Sequence, residues 1–271
     1  MSFWVRLLTL FNTQMEIPPA WGRFHLISWG IAISAAVILC LIYQYKPFSV
    51  RAIILITSIA VIIAEIYKQI NLSFTYSDGI QFHYLWRYFP WQFCSTPMFV
   101  GLLAGMIPKG RLHRMLCAYL ATYAFFAGLC VMIYPGDVFT ETVGINIQTM
   151  LCHGSMLTIG ILLFRTGHVE ASPKAVLRAF PVFISALLIA VLLNEHAYRV
   201  GLLAEHDFNM FYVSPYCESH LSIFAWVQER VPFPGNLLVY IAVFSLGATL
   251  ITLSAMCLSK CRKRQRFSIF K

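Results

Sequence analysis

The sequence predicts an all-α membrane protein: a seven-transmembrane-helix bundle with its N terminus outside or lumenal and its C terminus cytoplasmic. Three observations predict it. The 271 residues are 59% hydrophobic and only 11% charged, with a mean hydropathy of +0.72. Seven stretches are apolar over about the 20 residues that a helix needs to cross a bilayer. Lys and Arg gather in alternate connections between those stretches, as the positive-inside rule requires.

The elements follow in order as one integral membrane domain, 1–271. An N-terminal segment, 1–23, contains the short apolar run Phe3–Phe11, read as an amphipathic surface helix. The run ends at Pro18–Pro19 without a small-residue cleavage site, so it is not read as a signal peptide. The bundle, 24–258, has spans at roughly Phe24–Tyr45, Ala52–Ile70, Pro90–Ile107, Met115–Tyr134, Ile145–Phe164, Ala175–Asn194 and Leu237–Leu258. The third is the most polar, with Gln92, Cys94, Ser95, Thr96 and Pro97 in its first half. A long outer loop, 195–234, precedes the last span, and a basic tail, 259–271, follows it.

Charge sets the orientation. The first, third and fifth connections carry Lys46 and Arg51; Lys109, Arg111 and Arg114; and Arg165, Lys174 and Arg178. With the tail they contain a single acid, Glu170, whereas Asp78, Asp137, Glu141, Glu195, Glu205, Asp207, Glu218 and Glu229 fall on the opposite side. The net charge of +9 is therefore read as topology rather than as a nucleic-acid surface. Six of the eight cysteines lie in or at the ends of apolar spans and no CxxC occurs, which predicts neither a disulfide scaffold nor a zinc site. Glu195–His196 and Glu205–His206–Asp207 lack a recognisable ligand spacing, so no metal and no cofactor is expected. Cys257 and Cys261, beside the basic tail, are candidate palmitoylation sites.

Polar groups in hydrocarbon are costly and usually face a protein interior or a cavity. Here they fall at one end. Glu65 lies near the outer end of the second span, and Gln92 and Cys94 in the first turns of the third. Asn146 and Gln148 open the fifth span, Asn194 ends the sixth, and His25 opens the first. His153 lies seven residues, about 10 Å, deeper than Asn146. Asn146, Thr149 and His153 form one stripe; Gln148, Cys152 and Ser155 form its neighbour. Pro97 cannot donate to the Phe93 carbonyl, which predicts a kink beside Cys94.

Each group has a plainer reading. Glu65 would pair with Lys68 one turn on, and the amides of Asn146 and Gln148 would cap or join helices. Most membrane cysteines are small apolar fillers, which is how Cys40, Cys117, Cys130 and Cys152 are read. Cys94 stands apart because of the polar segment around it, and His153 because polar residues share its face. A thiol needs a base beside it. The expected arrangement has His153 deprotonating Cys94, and Asn146 or Glu65 orienting the ring. Gln92, Gln148 or Asn194 would donate to the oxyanion, each such donor worth about 3 kcal/mol.

Four segments carry a family resemblance. Phe89-Pro90-Trp91-Gln92-Phe93-Cys94-Ser95-Thr96-Pro97 resembles the polar third helix of the YwaF-type integral membrane family. That family includes the animal transmembrane acyltransferases that remodel ether phospholipids. Asn146-Ile147-Gln148 with His153 and Gly160 resembles its fifth helix. Asn194, Asn209-Met210-Phe211 with Pro215, and Pro232-Phe233-Pro234 match more loosely, and His25-Leu26-Ile27 fits the first. Trp91-Gln92 departs from the pattern, since many members have a smaller apolar residue there and often a His.

The resemblance implies a lipid acyl-transfer site with Cys94 as nucleophile, forming an acyl-thioester, and His153 as base. His25, Thr149 and Asn209 would line the substrate pocket. Membrane phospholipids would be the substrate, with no nucleic acid and no obligate protein partner, in a bacterial plasma membrane or an internal membrane. Two alternatives stay open: a lipid-ester hydrolase of the same fold, and a non-enzymatic small-molecule transporter or receptor. A transporter would more often show an internal repeat, which this sequence lacks.

Overall fold

The computed structural model of the protein describes residues 3–76, 79–136, 138–202, 208–219 and 221–269, without the side chains of 222 and 261–269. Asp78, Asp137, Glu205, His206, Asp207 and Lys271, and the side chains of Cys261, Arg262, Lys263, Arg264 and Arg266, lie outside that description.

The chain folds as helices α1 (Phe3–Phe11), α2 (Arg23–Tyr45), α3 (Val50–Asn71), α4 (Thr96–Met106), α5 (Arg111–Ile133), α6 (Val143–Arg165), α7 (Pro173–Arg199), α8 (Ser222–Arg230) and α9 (Gly235–Ile269). Strands β1 (Phe74–Thr75) and β2 (Gln81–Phe82) form a small antiparallel hairpin after α3. Six of the helices, α2, α3, α5, α6, α7 and α9, are long and apolar enough to cross a membrane.

The third predicted span is shorter as a helix than the sequence suggests. Only Thr96–Met106 winds as a helix, and at 1.5 Å per residue its 11 residues cover about 16 Å. The reason is Pro97. Instead of kinking a continuing helix, it sits in the first turn, where no backbone N–H is needed. The Phe93 carbonyl is taken by the Thr96 hydroxyl at 2.9 Å. Residues before it fold as a short 3₁₀ turn at Trp86–Tyr88 and a turn in which Gln92 O accepts from Ser95 N at 2.8 Å. Cys94 is thus placed just outside the helix.

α6 is the hub. It packs against α2, α3 and α5, and 72% of its most apolar stretch is buried, against 11% in α2. Close approach is secured by Gly128 of α5: a Cβ there would stand 2.6 Å from Met156 Cβ of α6. α5 carries a π turn at Leu120–Ala124, buried throughout. Beneath it lies an aromatic cluster in which Phe93 meets Phe183, Phe211 and Phe244 with ring centroids 5.7, 5.4 and 4.7 Å away.

The two ends of the bundle differ. At one, Arg51 Nε donates to Gly105 O at 2.8 Å, closing the end of α4, and the Tyr43 ring lies 6.1 Å from that of His168. At the other, polar side chains converge.

Candidate functional site

At the polar end, Glu65 is buried and its carboxylate is saturated. Oε1 accepts from Lys68 Nζ at 2.8 Å and from Gln69 Nε2 at 2.7 Å, and Oε2 accepts from Gln148 Nε2 at 2.8 Å. The expected Lys68 pair is present. The expected orientation of the His153 ring by Glu65 is not, because both carboxylate oxygens serve other donors.

Asn146 does not orient the ring either. Its Nδ2 donates to Thr140 O and its Oδ1 accepts from Thr140 N, both at 2.8 Å, so it fastens the connection before α6. His25 is satisfied too. Nδ1 accepts from Trp21 N at 2.9 Å and Nε2 donates to Met132 O at 2.8 Å, which leaves it no polar atom to offer a ligand.

Gln92, Asn194 and Asn209 act together on one loop. Gln92 donates to Asn209 O and accepts from Phe211 N, both at 2.9 Å. Asn194 donates to Met210 O at 3.0 Å and accepts from Met210 N at 2.7 Å. Asn209 accepts from Ser214 N at 2.9 Å and donates to Glu218 O at 3.2 Å. These amides replace the hydrogen bonds that a loop loses on entering a bundle. They hold Met210 and Phe211 fully buried, although Phe211 and Tyr212 adopt positive φ of 59° and 57°. Gln228, which the sequence reading passed over, adds bonds to Ser214 O and Cys217 O at 3.1 and 2.9 Å. The oxyanion role expected of Gln92 and Asn194 meets groups already committed to backbone.

His153 is different. Its Nδ1 lies 2.7 Å from Thr149 O, and a carbonyl can only accept, so Nδ1 carries the proton. Nε2 then presents its lone pair. That atom is buried and has no hydrogen-bond partner. This is the tautomer a general base needs, with Nδ1 fixing the ring. Thr149 serves here through its backbone.

Cys94 is half-buried, and its carbonyl accepts from the Cys152 thiol at 3.5 Å. Consecutive residues of a helix point about 100° apart, so Cys94 lies against the α6 face next to that of His153. No hydrogen bond joins the Cys94 thiol to His153 among the described residues. Gln92 and Phe93, by contrast, are locked into loop and aromatic core, which fixes the approach of Cys94 from one side. The stripe containing Cys152 and Ser155 lines a cavity of about 30 Å³ with Ser58, Pro97, Met98 and Ile159. Such a volume admits a water-sized occupant. Leu120 and Ala124 of the π turn border it. π turns often mark functional sites, and nothing in the local sequence announces this one.

Residues 20–259 match the TMEM164 family, a transmembrane protein family. The chain belongs to the TMEM164 family. Neither the curated proteins nor the solved structures contain a significant match. Membership and six helices of spanning character together make this a multi-pass helical membrane protein.

Proposed function

We propose that this TMEM164-family protein is an integral membrane acyltransferase that moves acyl chains between phospholipids and lysophospholipids. Cys94 is the nucleophile and His153 the base. The observation that carries the reading is the His153 imidazole: proton on Nδ1, ring held by Thr149 O, and a buried Nε2 with no partner. A buried polar atom left unpaired costs free energy, about 1–3 kcal/mol, and such groups concentrate at working sites.

In the proposed reaction His153 Nε2 takes the Cys94 proton and the thiolate adds to the ester carbonyl. Collapse breaks the ester C–O bond, leaves a thioester on Cys94, and returns the proton to the departing lysophospholipid oxygen. The acceptor hydroxyl then loses its proton to His153 and attacks the thioester, which releases Cys94. The turn Gln92–Ser95 has to swing the thiol toward Nε2 for the first step. Catalytic hydrogen bonds commonly tighten only with substrate bound.

The same reading takes the third span as a seventh crossing, completed by the non-helical residues before Thr96. The end carrying Arg51, Lys109 and Arg165 is cytoplasmic, and the site faces the outer or lumenal leaflet.

The test is adduct mapping by mass spectrometry after treating the purified protein with a long-chain acyl electrophile. Labelling at Cys94 that vanishes in His153→Ala supports the proposal. Labelling spread over several cysteines, or none, overturns it in favour of a binding or transport protein. Free fatty acid as sole product would identify a hydrolase instead.

A further inference from the structure

An open cleft of about 580 Å³ lies beside the β-hairpin, lined by Phe82, His83, Tyr84, Trp86 and Phe89. Its rings form a corner: Tyr84 and Trp86 stand perpendicular, at 89°, with centroids 5.0 Å apart. The corner is tied to the charged pair at the end of α3. Tyr84 Oη donates to Gln69 Oε1 at 2.7 Å, and Gln69 Nε2 donates to Glu65 Oε1 at 2.7 Å. Burial and then the Glu65 charge push the Tyr84 phenol above its ordinary range, so it stays a neutral donor with its ring held in place.

Lys68 Nζ shares that Glu65 oxygen, at 2.8 Å, and its side chain is only 17% exposed. An ammonium has three donors, and this one makes a single ion pair among the described residues. The charges of Lys68 and Glu65 reach Cys94, Cys152 and, for Lys68, His153. A nearly buried cation with donors to spare therefore lies between the reactive groups and an aromatic corner. Ring faces attract ammonium groups, quaternary ones above all, since these have no N–H to give an acceptor.

We propose that this juxtaposition is the headgroup subsite: Lys68 takes the lipid phosphate and the Tyr84–Trp86 corner takes the quaternary ammonium of a choline headgroup. The inference rests on the acyl-transfer reading for its meaning, not for its test. The plain alternative is that these rings only anchor the protein at the membrane interface, where Trp and Tyr are common.

The experiment is equilibrium binding of non-hydrolysable diether lipids in detergent to the full-length protein. Diether phosphatidylcholine should bind wild-type protein at least about tenfold more tightly than diether glycerol, in line with a cation–π contact and a charged hydrogen bond. Trp86→Leu should remove most of the preference for phosphatidylcholine over phosphatidic acid, while Trp86→Phe keeps it. Lys68→Met should remove the preference for either phospholipid over diether glycerol, while Lys68→Arg keeps it. Equal binding of all three lipids to the wild-type protein, which needs no variant to fold, overturns the inference. So does equal weakening of all three by Trp86→Leu and Lys68→Met. Acyl-transfer assays on the same samples separate the two ideas: lost preference with active enzyme sinks the subsite alone, and intact preference with no acyl transfer sinks the enzyme alone.

Discussion

The loop cradle and the His153 turn lie at the same end of the bundle, and both are buried and polar, yet they are built in opposite ways. In the cradle, the amide groups of Gln92, Asn194, Asn209 and Gln228 all meet backbone partners. At His153 one nitrogen is held and the other is left open. A satisfied polar group inside a bundle earns its place by structure alone. An unsatisfied one is maintained against a free-energy cost, so it needs another reason. The contrast separates, within one cluster of polar residues, those that build the site from those proposed to work in it.

The comparison can be broken most decisively at Cys94. Cys94→Ala should abolish acyl transfer while leaving the thermal unfolding midpoint near wild type; retained transfer in purified protein would end the covalent mechanism. Next is His153→Gln. Loss of a general base typically lowers rate by about 10²–10⁴-fold, and removing an unpaired nitrogen should cost little stability. A variant that unfolds with its activity per folded molecule intact would put His153 in the same class as the cradle amides.

Stability effects come third. Glu65→Ala leaves Lys68 without its anion and Gln148 and Gln69 without their acceptor, and breaking a buried pair costs about 3–5 kcal/mol. Asn194→Ala strands the N–H and C=O of Met210 inside the protein, at about 1–3 kcal/mol each. Denaturation in a fixed detergent would measure both, and an unchanged midpoint for Asn194→Ala would show that the cradle does not hold the loop.

The smallest effect belongs to the basic end. His168 accepts from or donates to Thr166 Oγ1 at 2.8 Å, and burial, followed by Lys109, lowers its pKa below the usual 6.5. The folded protein therefore resists protonating it. Its contribution is fully present above pH 6.5 and is lost as pH falls below it, so His168→Gln should flatten a shallow decline in stability on the acid side.

Much of this was readable beforehand, and for physical reasons. Span lengths follow from bilayer thickness, which is why α2, α3, α6 and α7 begin and end within a few residues of the expected bounds. The one-ended placement of His25, Glu65, Gln92, Asn146 and Asn194 followed from span direction alone. The pairing of those groups did not. Whether Glu65 meets Lys68 or His153 depends on helix rotation, which a sequence specifies only through the whole bundle's packing. Pro97 was correctly singled out, but proline starts a helix as readily as it bends one, and the choice was made by Thr96 capturing the Phe93 carbonyl. The cradled loop was the least legible. Asn209 was noticed, whereas the positive φ at Phe211 and Tyr212 is imposed on residues that do not prefer it.

The π turn at Leu120–Ala124 gives this chain a particular vulnerability to changes in length. A wide turn carries one residue more than ordinary winding needs. Deleting a single residue within 120–124 would let α5 run as a regular helix, at no loss of hydrophobic length. It would also rotate everything beyond by about 100°, turning Gly128 away from Met156 and setting a bulkier residue against the hub. Drift in the length of this lineage is therefore expected in its loops and tail, and hardly at all across these five positions.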